Sequence, residues 1–187
     1  MSAEDRLELV ETANRLEPLK RAARRGRANG LGYVAFGGLS LLLSISSNPD
    51  WIGLLIGAVL IGAGLVERSQ ADRLGQGDLL APTRMAQAEL ALLGAILFGG
   101  VIKLVFSSSA SGELRTVTGE LPGLGLDVAD LIDSVTTLVY AVVMAVSILY
   151  QGGMARYFLK RRNDVAIYLA SPEWARSLAQ SMHQRTK

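Results

Sequence analysis

Four long apolar stretches, separated by polar segments, dominate the chain. Each is close to the roughly 20 residues that a helix needs to cross a hydrocarbon core about 30 Å thick. The first two are short, and Tyr33 and Trp51 stand where aromatic rings settle at a membrane interface. The pattern predicts an all-α membrane protein with four transmembrane helices, over residues 30–46, 51–66, 86–106 and 131–151.

The connections and the basic residues predict how these spans are arranged. Only SSNPD, residues 46–50, separates the first two, and Asn, Pro and Asp stop a helix. We therefore expect two antiparallel hairpins joined by an inner loop. Of the 19 Lys and Arg residues, all but Lys103 and Arg115 fall on one side. By the positive-inside rule both termini are cytoplasmic, and the loop over residues 107–130 faces outward.

The chain divides into three predicted regions, over residues 1–29, 30–153 and 154–187. The first is an amphipathic cytoplasmic helix, which Ser2 caps and Pro18 kinks. The second is the transmembrane domain, and the third is a basic helical tail. The tail carries an apolar stripe that either folds back on the N-terminal helix or docks a partner: Trp174, Leu178 and Met182.

Basic clusters flank the first and last spans on the cytoplasmic side. A Lys or Arg near an anionic membrane surface is worth about 1 kcal/mol of attraction. We expect contacts with anionic lipid from Lys20, Arg21, Arg24, Arg25, Arg27, Lys160, Arg161 and Arg162.

Small residues recur at helical spacing in spans two and three, where they allow close helix packing. These stripes either pack the bundle itself or dock a second protein or another copy. The predicted packing residues are Gly53, Gly57, Gly64, Ala91, Ala95 and Gly99.

Lys103 continues the stripe of span three near its outer end. Its long side chain favours an anchor whose ammonium reaches the interface. The alternatives are an ion pair with the acidic outer loop or a place in an ion pathway. In that loop, Asp127, Asp130 and Asp133 form an acidic face, which is either solvated or, in an oligomer, a ring at a cation entrance.

Composition and motifs argue against an enzyme. The chain is 50% apolar, its mean hydropathy is +0.31, and it has no cysteine, which excludes thiolate and Cys-based metal chemistry. GQGD, residues 75–78, matches a GxGD protease pattern, but it lies in a polar loop, where a turn explains it. We expect no cofactor and no metal, and no nucleic-acid partner because a recognition module is missing.

Two segments, GDLLAPTRMAQAELALL and YQGGMARYFLKRRNDVAIYLASPEW, resemble small bacterial inner-membrane proteins with four spans and no assigned activity. The resemblance implies a bacterial inner-membrane location. The leading interpretation is a non-enzymatic accessory, scaffold or assembly subunit that contacts another membrane protein or copies of itself. The alternative is a homo-oligomeric cation channel or small transporter. Against the alternative, we expect no deep carboxylate in any span.

Overall fold

The computed structural model describes residues 2–46, 51–118 and 128–184. It describes their side chains except for residues 46, 106–118, 128–130, 132–133 and 183–184. Within these ranges the chain forms five α-helices and no strand. They are α1 Ala3–Ser46, α2 Trp51–Gly75, α3 Ala81–Thr118, α4 Val128–Leu169 and α5 Glu173–Gln184.

Helices α1 to α4 are long and apolar enough to cross a membrane, so the predicted all-helical class and the four potential spans are confirmed for the described residues. All four extend beyond the predicted spans. Helix α1 continues without interruption across the predicted boundary at residue 29 and contains Pro18 in its interior. Helix α4 likewise continues through the predicted boundary at residue 153. The first and fourth predicted spans are therefore parts of longer helices, and each of these helices crosses a boundary between two of the three predicted regions.

The start of α1 follows the predicted capping. The Asp5 backbone N–H donates to the Ser2 hydroxyl at 3.0 Å, and the Ser2 backbone N–H donates to the Asp5 carboxylate at 2.7 Å. This reciprocal pair satisfies backbone donors that have no partner within the helix.

Helices α1 and α2 meet along a seam of facing glycines, which we call the glycine seam: Gly30 and Gly37 of α1 with Gly57 and Gly64 of α2. A Cβ added to Gly64 would lie 2.6 Å from the Gly30 carbonyl oxygen, and one added to Gly37 would lie 2.7 Å from that of Gly57. The two helices run in opposite directions along the seam, because the lower number on α1 faces the higher number on α2. Backbones can approach this closely only where side chains are absent.

A second packed region joins all five helices at the end of the bundle where α1 begins and α5 ends. Phe158 and Tyr168 are its largest side chains, at 0% and 1% exposure. We call this cluster the terminal core. Its members are Leu16, Leu19, Ala22, Ala23, Ala71, Leu74, Ala81, Met85, Ala86, Ala155, Phe158, Val165, Tyr168 and Ala179.

The connection between α2 and α3 is a tight turn at the edge of the terminal core. Gly77 has φ of +87°, and an added Cβ there would lie 2.9 Å from the Tyr168 ring. The Asp78 carboxylate accepts a hydrogen bond from the Leu80 backbone N–H at 2.8 Å, just before α3 begins. The GQGD motif is thus a turn and a helix start, as predicted.

Candidate functional site

The most unusual chemistry in the described structure is a pair of buried glutamates, which we call the carboxyl pair. Glu67 follows the predicted second span directly, and Glu89 lies four residues into the predicted third span. Both side chains are 0% exposed. Their carboxyl groups lie within hydrogen-bonding range of each other, so α2 and α3 bring two acids together inside the bundle.

Helices α1 and α4 supply polar neighbours to the carboxyl pair. The Tyr33 hydroxyl donates to Glu89 Oε2 at 2.9 Å. The Asn29 side chain, one turn before Tyr33, lies beside the Glu89 carboxyl without a hydrogen bond to it. From α4, the Tyr150 hydroxyl donates to Asn29 Oδ1 at 3.1 Å. Tyr150 is 46% exposed, so this polar chain leads from the pair to the protein surface.

Several oxygens of the cluster are buried without a donor. They are both carboxyl oxygens of Glu67 and Oε1 of Glu89, and the buried Nδ2 of the neighbouring Asn29, a donor, is also without a partner. Among the ion pairs of the described residues, none involves Glu67 or Glu89. Burying a charge that has no partner is costly, and two like charges in contact are costlier still. The cluster therefore needs a donor or a positive charge.

The structure buries an acid near the N-terminal end of the third predicted span; because this position is shallow in the span, the expectation that no span contains a deep carboxylate stays a prediction. Glu89 lies within a predicted span, and the protein interior encloses it fully. Its position in the apolar run AQAELALL is visible in the sequence, but its partner Glu67 lies 22 residues away on another helix. An ionisable side chain within a span is a candidate functional residue. A single acid near the end of an apolar run does not indicate a site in the sequence, because its neighbours come from other helices.

A metal centre is not evident around this pair. The described part of the chain has no group of three or more His, Cys, Asp or Glu side chains that could hold a metal ion. Calcium usually takes six to eight oxygen ligands. Two carboxyl groups within hydrogen-bonding range of each other, with tyrosine and amide neighbours, form a compact acceptor cluster of a different kind.

The predicted packing stripe of span two lies in contact with α1. Gly57 and Gly64 belong to the glycine seam, and the Ser40 hydroxyl donates to the Gly53 carbonyl at 3.2 Å. This face is therefore occupied by the protein's own helix.

The stripe of span three is divided between two surroundings. Gly99 is buried against Ile52 and Ile56 of α2, and Ala95 is half-buried, but Ala91 is exposed. The fully buried residue on this part of α3 is Leu92, which packs near Ala63. Residues four apart drift around a helix of 3.6 residues per turn, so a long stripe does not keep to one neighbour.

The predicted outer-end residues lie at the edge of the described structure or beyond it. Lys103 is half-buried on α3. Asp127 lies outside the described residues, as do the side chains of Asp130 and Asp133. The predicted acidic outer face therefore stays a prediction.

Several of the predicted lipid-contacting cations contact other protein side chains. Arg25 and Arg161 both lie over the Tyr157 ring, at 5.2 and 4.7 Å from its centre. Arg27 pairs with Asp72 at 2.7 Å. Arg21 and Arg24 approach Glu17 at 3.5 and 3.6 Å. Of the remaining predicted cations, Lys160 and Arg162 are exposed and Lys20 is half-buried.

The C-terminal helix α5 packs back on α1, but not through its predicted stripe. Ala175 and Ala179 are its buried residues. Trp174, Leu178 and Met182 stay 39%, 42% and 59% exposed, and Met182 lines a groove of about 370 Å³ between α1 and α5. The close contact of α5 with α1 is made by small alanines, and the large apolar side chains of the predicted stripe lie beside it.

No protein family model, curated protein or solved structure matches this chain. Any functional conclusion therefore depends on the chemistry and geometry of the chain itself.

Proposed function

We propose that the protein is a non-enzymatic integral membrane protein that acts as an accessory, scaffold or assembly subunit. In this proposal its four spans form two antiparallel hairpins in a bacterial inner membrane, with both termini and the terminal core in the cytoplasm. The segregation of 17 of the 19 Lys and Arg residues to one side supports this orientation.

An uncovered face of small residues on α4 carries the proposal. Within the predicted fourth span, α4 turns Tyr140, Met144 and Ser147 inward, and Met144 packs on Gly100 of α3. Next to this seam, the exposed residues Thr137, Ala141 and Ala145 recur at intervals of four. Helices associate in lipid through small residues that let backbones approach. This face therefore suits a helix of another membrane protein or of a second copy.

The absence of cysteine allows a direct test in native membranes. Single variants Ala141→Cys and Ala145→Cys would receive a thiol-linked photo-crosslinker, with Val139→Cys and Val146→Cys as controls on the far side of α4. We expect a single adduct from the first two positions and none from the controls. The adduct's mass distinguishes a second copy from a different membrane protein.

A specific contact requires that crosslinking depend on the small residues of this helix face. We expect the double change Ala141→Leu with Ala145→Leu to abolish the complex in native mass spectrometry, while the protein still inserts. If all four cysteine positions crosslink equally, or none does, the uncovered face contacts lipid alone and the proposal fails.

The orientation is tested separately. In sealed spheroplasts, a membrane-impermeant thiol reagent should fail to label Ser177→Cys on α5 until the cells are opened. Labelling of intact spheroplasts would place the C-terminal helix outside and overturn the cytoplasmic assignment.

The cation-channel alternative depends on an acidic face formed by Asp127, Asp130 and Asp133. Those side chains lie outside the described residues, so the channel stays a prediction. Flux of cations through liposomes that contain only this chain, lost in the triple Asp→Asn variant, would favour it over the accessory role.

A further inference from the structure

The carboxyl pair has no positively charged group beside it among the described residues. Glu67 and Glu89 are both fully buried and lie within hydrogen-bonding range of each other. From α1 they face Asn29 and Tyr33, and α4 reaches them through Tyr150. None of these neighbours is basic, and neither acid takes part in an ion pair of the described residues. A double negative charge would therefore be uncompensated inside the bundle.

The donor count gives an independent reason to expect a ligand. Tyr33 satisfies one oxygen of Glu89, which leaves Glu89 Oε1 and both oxygens of Glu67 without a donor. The buried Asn29 Nδ2 lies beside Glu89 but is itself without a partner, and it does not reach Glu67. Two unprotonated carboxylates cannot hydrogen-bond to each other, because both accept only. One added proton makes one group a donor and the other its acceptor, so that two orphan oxygens are satisfied together and one charge is removed. Acidic pairs that share a proton in this way are well known among buried carboxyl groups.

A metal ion fits the geometry less well. A buried metal ion needs several ligands, and calcium usually takes about six to eight oxygens. The described residues also lack a third acidic, His or Cys ligand for such an ion. A proton needs neither extra space nor further ligands.

We propose that Glu67 and Glu89 form a proton-binding site, in which one proton lies between a Glu67 oxygen and Glu89 Oε1. The proton is reached from the surface on the side of Asn29 and Tyr150. The remaining negative charge accepts the Tyr33 hydrogen bond. This site goes beyond the proposed accessory role. Four helices, α1 to α4, contribute to it, so gain or loss of the proton would change the polar contacts between them.

Infrared spectroscopy of the full chain in lipid nanodiscs tests the site. Glutamate labelled with ¹³C at the side-chain carboxyl distinguishes its carbonyl stretch from those of Asp and the backbone. At neutral pH we expect a band from protonated glutamate in the wild-type protein. The band should be lost completely in the double variant Glu67→Gln with Glu89→Gln. The matched control Glu8→Gln, an exposed position on α1, should keep it.

The wild-type spectrum decides the matter even if the double variant does not fold. A wild-type protein with no protonated glutamate at neutral pH would overturn the proposal, as would a band that persists in a folded double variant. Replacement of the band by a shifted carboxylate stretch on addition of sodium or calcium would assign the site to a metal ion instead. The access route has its own readout: Tyr150→Phe should slow hydrogen–deuterium exchange of the band, and unchanged exchange would contradict that route.

Discussion

Replacing Gly64 by alanine is expected to destabilise the helix bundle through a single methyl group. The new Cβ would lie 2.6 Å from the Gly30 carbonyl oxygen and 2.9 Å from a Val34 methyl group. Ordinary contact begins at 3.4 Å, so α1 and α2 must separate by about 0.8 Å. The obstacle is backbone, which cannot rotate away as a side chain could.

The cost of that separation can be estimated from the contacts it weakens. A gap of 0.5–1 Å forfeits about a quarter to a half of the dispersion attraction across a contact. The Ser40 hydrogen bond to the Gly53 carbonyl, already 3.2 Å long, lies along the same seam and would weaken. An interhelical hydrogen bond in a membrane averages about 0.6 kcal/mol, and overpacking a core costs about 1–3 kcal/mol. We therefore expect Gly64→Ala to lose about 1–3 kcal/mol of unfolding free energy.

The assay is reversible unfolding in mixed micelles, with helicity as the readout. Gly62→Ala is the matched control, because an added Cβ there meets no atom within 4 Å. Both variants gain the same helix propensity, so the difference between their unfolding free energies measures the effect of the added methyl group on the glycine seam. If Gly64→Ala and Gly62→Ala unfold at the same denaturant concentration, the close approach of α1 and α2 does not stabilise the protein and the reasoning is refuted.

Three further changes test the terminal core, the turn and the surface. Phe158→Ala should cost about 3–5 kcal/mol in the same unfolding assay, since this ring is fully buried, and Phe158→Leu should lose less; equal losses would contradict a cavity effect. Gly77→Ala should lower the thermal midpoint, because φ of +87° strains an alanine and its methyl group meets the Tyr168 ring; an unchanged midpoint would mean that the turn relaxes freely. Asp72→Asn should change stability by at most about 1 kcal/mol, because its ion pair with Arg27 is solvent-exposed; a larger loss would show that the pair matters to packing.

The positions of the four long helices could be predicted from the sequence, but their full lengths and the helices that each one packs against could not. Runs of apolar residues predict spans because a bilayer requires a minimum length of apolar helix. The same runs do not show where a helix ends once it leaves the membrane, so the continuity of α1 past residue 29 was not predicted. Its polar N-terminal half stays helical and packs into the terminal core through Leu16 and Leu19.

The site was harder to predict because its members come from four helices. Glu67 and Glu89 are ordinary acids in the sequence, and each stands beside an apolar run. Their meeting depends on the register of α2 against α3, and their hydrogen bonds depend on the register of α1. Neither register follows from periodicity, which fixes the face of a helix but not its height against a neighbour. By contrast, the turn at Gly77 depends only on local residue types and was predicted correctly.

The glycine seam and the carboxyl pair are connected through one residue. Tyr33, which donates to Glu89, has its Cβ 3.1 Å from the position that a Gly64 methyl group would occupy. Helix α1 can therefore bring the Tyr33 hydroxyl to the buried acid only because α2 has no side chain at residue 64. Close packing of the two helices and hydrogen bonding of the acid are thus parts of one arrangement. A bulkier seam would move the phenol away and leave Glu89 with one donor fewer, so the glycines that pack the bundle also set the chemistry at its centre.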